Sequence, residues 1–78
     1  MTLDQAILHV LCSSPKAIPA AVIRGELPNY SAHDHTITDI TLALDRLERE
    51  TPPLVKGTTK KFVGLVWTAT EDGRLAIA

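Results

Sequence analysis

The chain has 78 residues, 45% hydrophobic and 22% charged, with a formal net charge of −1. A chain this short supports one core and not two, which predicts one domain over residues 1–78 that buries little more than ~60% of its unfolded surface. The near-neutral balance excludes a domain that grips phosphate by bulk charge alone, the single Cys12 excludes an internal disulfide or a Cys-rich zinc site, and no apolar run approaches the ~18 residues that span a bilayer.

In chain order, Thr2 is placed to cap a helix running to about Cys12, with Asp4 in its first turn and Leu3, Ile7, Val10 and Leu11 on one face. Its lack of a basic leader segment argues against a signal peptide, so a soluble cytoplasmic protein with no membrane partner is expected. Ser13, Ser14 and Pro15 end this helix. A second helix is predicted from about Pro19 to Glu26, offering Ile18, Val22 and Leu27 to the core. The third carries the clearest period: Ile37, Ile40, Ala43, Leu44 and Leu47 recur at three- and four-residue spacing, predicting a helix over roughly 36–50. Two capping boxes compete for its start, Thr36 with Asp39 and Ser31 with Asp34.

Pro52 and Pro53 force an extended exit, after which the apolar period changes from helical to two. Leu54, Val55 and Lys56 read as a short strand, Gly57 to Lys61 as a polar turn, and Phe62 to Thr68 as a second strand with Val63, Leu65 and Trp67 on one face. Thr70 before Glu71 and Asp72 predicts a capped final turn of helix, kept short by Gly73. The predicted core is Ile7, Leu11, Val22, Ile40, Leu44, Leu47, Leu65 and Trp67.

The distribution of charge says more than its sum. Residues 34–51 hold five acids (Asp34, Asp39, Asp45, Glu48, Glu50) against Arg46 and Arg49. From Pro52 onward, Lys56, Lys60, Lys61 and Arg74 outnumber Glu71 and Asp72, so an anion-binding surface is expected in the C-terminal third.

Helices followed by a hairpin are the order of the winged helix-turn-helix fold, and several segments resemble that domain of bacterial and phage transcription regulators. Asp39-Ile40-Thr41-Leu42-Ala43-Leu44-Asp45-Arg46-Leu47-Glu48 resembles the recognition helix, Leu54-Val55 the pair that opens the wing, and Trp67-Thr68-Ala69-Thr70-Glu71-Asp72-Gly73-Arg74 the run that closes it. The resemblance implies an α+β fold of three helices with a C-terminal β-hairpin wing. It also implies a sequence-specific DNA-binding regulator with helix 36–50 in the major groove, wing 56–61 on the backbone, and no cofactor.

On helix 36–50, a rotation of ~100° per residue turns Thr38, Leu42, Asp45, Arg46 and Arg49 outward once Ile40, Ala43, Leu44 and Leu47 face the core. Thr38, Arg46 and Arg49 would then meet base edges or phosphates, and Leu42 a thymine methyl group. The competing reading is a solvated face with an Asp45–Arg49 pair. Lys56, Thr58, Thr59, Lys60 and Lys61 gather donors at the tip of the hairpin, where they would follow the phosphate backbone or enter a minor groove; the plainer alternative is a solvated turn whose lysines guard a strand edge.

His9 and Cys12 on the first helix, with His33 and His35 in the loop, match no metal-ligand spacing, and no metal site is predicted. Cys12 is read as a small buried apolar residue and His9 as a surface one. No Gly-rich phosphate loop or nucleophile motif is present, so the reading is not an enzyme. The expected partner is double-stranded DNA. A homodimer would double the small DNA surface that one module covers. The rival is a protein-interaction module on the same fold, using the acidic, Leu42-bearing face of helix 36–50.

Overall fold

The computed structural model describes residues 1–77. Helix α1 (Leu3–Ser13) starts where local chemistry dictates. The Thr2 hydroxyl accepts from the Gln5 amide and the Gln5 side chain accepts from the Thr2 amide, satisfying two donors that a helix start otherwise leaves open. Ala6, Ile7, Leu8, Val10 and Leu11 of this helix are buried.

Helix α2 (Ala20–Glu26) begins after Pro19 and runs into a 3-10 turn, Leu27–Asn29. Its phase differs from the expectation: Ile23 is fully buried, whereas Val22, predicted in the core, is 45% exposed. Ile23 and Leu27 are four residues apart, so with Leu27 inward Ile23 shares its face and Val22 is turned off it. The turn is held to α1 through Tyr30, whose ring stacks on His9 at 5.5 Å and whose hydroxyl lies 3.1 Å from that of Ser13.

Helix α3 (Ile37–Glu48) is capped by Thr36 in a reciprocal box with Asp39, which decides between the two predicted starts. The Ser31 hydroxyl instead accepts from the His33 amide within the preceding loop. The helix ends two residues short of the predicted Glu50. Ile40, Ala43, Leu44 and Leu47 are buried, as the period predicts.

Strands β1 (Val55–Lys60) and β2 (Gly64–Ala69) pair antiparallel, from Val55 opposite Ala69 to Lys60 opposite Gly64. Here the expectation needs correcting, because Gly57 to Lys60 belong to a strand and the turn is Lys61-Phe62-Val63. Gly57 sits opposite Trp67, and a Cβ there would come within 2.9 Å of the indole, so glycine lets the ring lie across the strand. The turn takes positive φ at Phe62 (68°) and Gly64 (91°).

Leu65, also predicted in the core, is 46% exposed. Strand alternation puts it on the same face as Trp67, but in the outer half of the hairpin, beyond the cover of the helices. The inner half is buried through Val55, Trp67 and Ala69, which join the core, whereas Val66, opposite Thr58 on the other face, is buried outside that cluster. Ile18 pairs with the other edge of β2, its amide donating to Trp67 O at 2.9 Å and its carbonyl accepting from Trp67 N at 2.8 Å.

Helix α4 (Glu71–Ala76) is capped by Thr70, whose hydroxyl accepts from the Gly73 amide and donates to Pro53 O. Ile7, Leu11, Ile23, Ile40 and Leu44, all fully buried, fill the centre, so α1, α2 and α3 share one core flanked by the base of the hairpin. No helix among the described residues is long and apolar enough to cross a membrane.

Candidate nucleic-acid interface

The outward face of α3 carries the residues that the helical period placed there. Thr38 is exposed and Leu42 is 59% exposed. Leu42 lines a shallow open depression with Asp45, Arg46, Arg49, Glu50 and Thr51. The cations of this face are engaged within the chain. Arg49 pairs with Asp45 one helical turn away at 3.1 Å, the pair that the sequence suggested. Arg46 reaches across to α1, where both oxygens of Asp4 accept from its guanidinium, one at 2.5 Å and the other at 3.4 Å. That hydrogen bond, with the Asp4 charge behind it, raises Arg46 above the ordinary arginine value.

Asp4 therefore has two roles, a favourable charge at the start of α1 and an anchor for α3. The sequence signalled only the first, because the second spans 42 residues. Glu48 is likewise spoken for: its carboxylate accepts from the Gly57 amide at 2.8 Å and ties α3 to the edge of β1. The unpaired acids and the paired arginines leave the α3 face with little free positive charge.

The wing has the opposite character. Positions 51–70 contain no acid and hold Lys56, Lys60 and Lys61. All three are exposed, and none enters an ion pair among the described residues. The register places Lys56, Thr58 and Lys60 on one face of β1, opposite Thr68, Val66 and Gly64, with Thr59 on the other face opposite Leu65. Donors predicted to cluster at a tip are thus spread along a strand, and only Lys61 lies in the turn. The side chain that does occupy the tip, Phe62, was assigned to a strand from the sequence. It is 96% exposed, its ring 5.2 Å from the Lys61 ammonium. Gly64 was the available signal, since glycine two residues beyond it marks a turn at least as well as Gly57 does.

The remaining sequence candidates stay apart. His9 is half-buried against Tyr30, and Cys12 is partly buried at the rim of the core. Burial pushes the Cys12 thiol up, opposed in smaller part by the charge of Arg74. His33 and His35 lie in the connection between the 3-10 turn and α3, where they line a pocket of about 320 Å³ with Arg24 and Asp34. No three His, Cys, Asp or Glu side chains among the described residues converge as a metal ion requires.

Neither a protein-family model nor a curated protein matches the sequence. Among solved structures, the chain is similar to a PadR family transcription regulator from hypervirulent Clostridium difficile R20291, with a TM-score of 0.70 and 20% identity over 96% of this chain and 78% of that one. The helices, the hairpin and this likeness together establish the fold as a winged helix, with the β1–β2 hairpin following α3 as the wing.

Proposed function

We propose that the chain is a sequence-specific, DNA-binding transcription regulator of bacterial or phage type, formed by one domain over residues 1–78 and acting in the cytoplasm without a cofactor or catalytic step. Helix α3 lies in the major groove, presenting Thr38 and Leu42 to base edges, with Arg46 and Arg49 near the flanking phosphates. Lys56, Thr58, Thr59, Lys60 and Lys61 of the wing hold the adjacent backbone. The observation that carries the reading is the acid-free wing with three unpaired lysines beside α3 of a winged helix. The similar solved structure, a transcription regulator by its description, agrees with it.

Binding to a random-sequence duplex over a series of salt concentrations tests the proposal. Each phosphate neutralised releases condensed counterions, so three lysines on the backbone give a log–log salt slope of about −3 on B-DNA. Absence of binding at low salt would refute it.

The rival, a protein-interaction module, draws on a separate observation. Both arginines of the α3 face are paired with acids, and Leu42 stands exposed above Asp45 and Glu50. Such a face suits a partner with an apolar contact and basic surroundings better than it suits phosphate.

A further inference from the structure

We infer that Phe62 is an apolar wedge which the wing drives into the DNA minor groove between two base pairs, unstacking them and bending the duplex. The inference rests on the DNA-binding reading above and adds a mode of contact to it. Its starting point is a side chain with no structural reason to be where it is. Phe62 is 96% exposed, and its ring lies beside the ammonium of neighbouring Lys61. It also takes φ 68°, a conformation that glycine or asparagine adopts more easily, so the turn itself does not call for phenylalanine. Val63 and Leu65, 59% and 46% exposed, extend the apolar surface behind it.

The surroundings specify the partner. An apolar tip on a segment with Lys56, Lys60 and Lys61 and no acid is complementary to a polyanion that also offers flat apolar faces. A nucleic acid duplex offers both, phosphates along the groove edges and stacked bases within. Dimensions agree. The hairpin beyond the Gly57–Trp67 pair is about three residues long, or ~10 Å at the rise of a strand, which holds the turn clear of the helices. Its two strands, ~4.8 Å apart before side chains are added, are too wide for a groove ~6 Å across, so only the turn enters. The body of the hairpin then rests at the groove mouth, where Lys56 and Lys60 meet the phosphates. Inserted apolar side chains of this kind kink DNA by roughly 20–90°, most readily at flexible pyrimidine–purine steps.

The test uses the full chain and an A·T-rich duplex containing TA steps, with 2-aminopurine beside one step and a donor–acceptor dye pair on its ends. Wild type is expected to raise the 2-aminopurine emission and shorten the end-to-end distance. Phe62→Ala should abolish both signals while keeping its circular dichroism, its salt slope and its affinity to within roughly tenfold. Phe62→Trp should retain the bend, and its added, solvent-exposed indole should be quenched on binding, above a constant background from buried Trp67. Wild type that binds without unstacking or bending overturns the wedge and leaves the DNA-binding reading standing, as does Phe62→Ala that bends DNA as wild type does. Wild type that binds no duplex at low salt overturns both. Two further results overturn the wedge by assigning Phe62 elsewhere: Phe62-dependent binding to phosphatidylserine vesicles with no effect on duplex, or a homodimer that sediments as monomer once Phe62 is alanine.

Discussion

Gly73 and Gly57 show how single positions set the geometry around the wing. A Cβ at Gly73 would collide with the backbone carbonyl oxygen of Leu54, against which α4 is packed. Replacing a helical glycine by alanine ordinarily stabilises a helix by ~1 kcal/mol through chain entropy. Here the obstructing atom is backbone and cannot rotate away, so the steric effect wins. Gly73→Ala should lower stability by ~1–3 kcal/mol, read as a lower urea midpoint with an unchanged m-value. A midpoint that rises would mean that α4 is free to shift. Trp67 crossing Gly57 is the same relation between strands. From the sequence, Gly57 read as a turn because glycine is a local turn signal, whereas its actual reason is an aromatic ring ten residues away that no local pattern discloses. Leu44 is the simpler case, legible from period alone. It is fully buried, and Leu44→Ala should cost ~2–5 kcal/mol by the same denaturation measurement, a large part of the stability of so small a fold.

At the scale of elements, what the sequence disclosed was what short-range chemistry decides. Thr2, Thr36 and Thr70 were readable as caps because a hydroxyl and an amide three residues on are close whenever a helix starts there. The long period of α3 fixed its buried face, while seven residues of α2 contained too few turns to choose between Val22 and Ile23. Contacts between elements were hidden, and Arg46 shows why that matters for the site. Its place on the outer face of α3 was correctly read, but Asp4 on another helix holds it. Asp4→Asn keeps the side-chain size and removes the charge, so Arg46 becomes available to phosphate. If α3 docks on DNA, the variant should bind a random duplex more tightly and steepen the salt slope by up to ~1. Titrations at several salt concentrations would detect it. An unchanged slope would place Arg46 away from the backbone. The wing gives the complementary measurement, since Lys60→Ala with Lys61→Ala should flatten the slope by up to ~2 at nearly constant melting temperature.

For the whole molecule, two surfaces of different character sit side by side: a cationic wing free of acids and an α3 face whose cations are neutralised and whose centre is Leu42. Phosphate attraction from the wing would hold the protein on any duplex, leaving Thr38 and Leu42 to discriminate sequence. Leu42 separates this division of labour from the protein-interaction reading. At 59% exposure its truncation removes little buried area, so Leu42→Ala should fold and melt as wild type does. If Leu42 meets a thymine methyl group, the variant should lose ~1–3 kcal/mol on the best duplex selected from a random pool and almost nothing on unselected DNA, with its sedimentation unchanged. If Leu42 is the centre of a contact between copies or with a protein partner, the variant should dissociate that assembly while keeping its affinity for random duplex, because the wing lysines are untouched. Competition titrations against selected and unselected duplexes, run beside sedimentation at matched concentration, measure both effects on one preparation. Loss of preference without loss of mass assigns α3 to the groove, and loss of mass without loss of preference assigns it to a protein face.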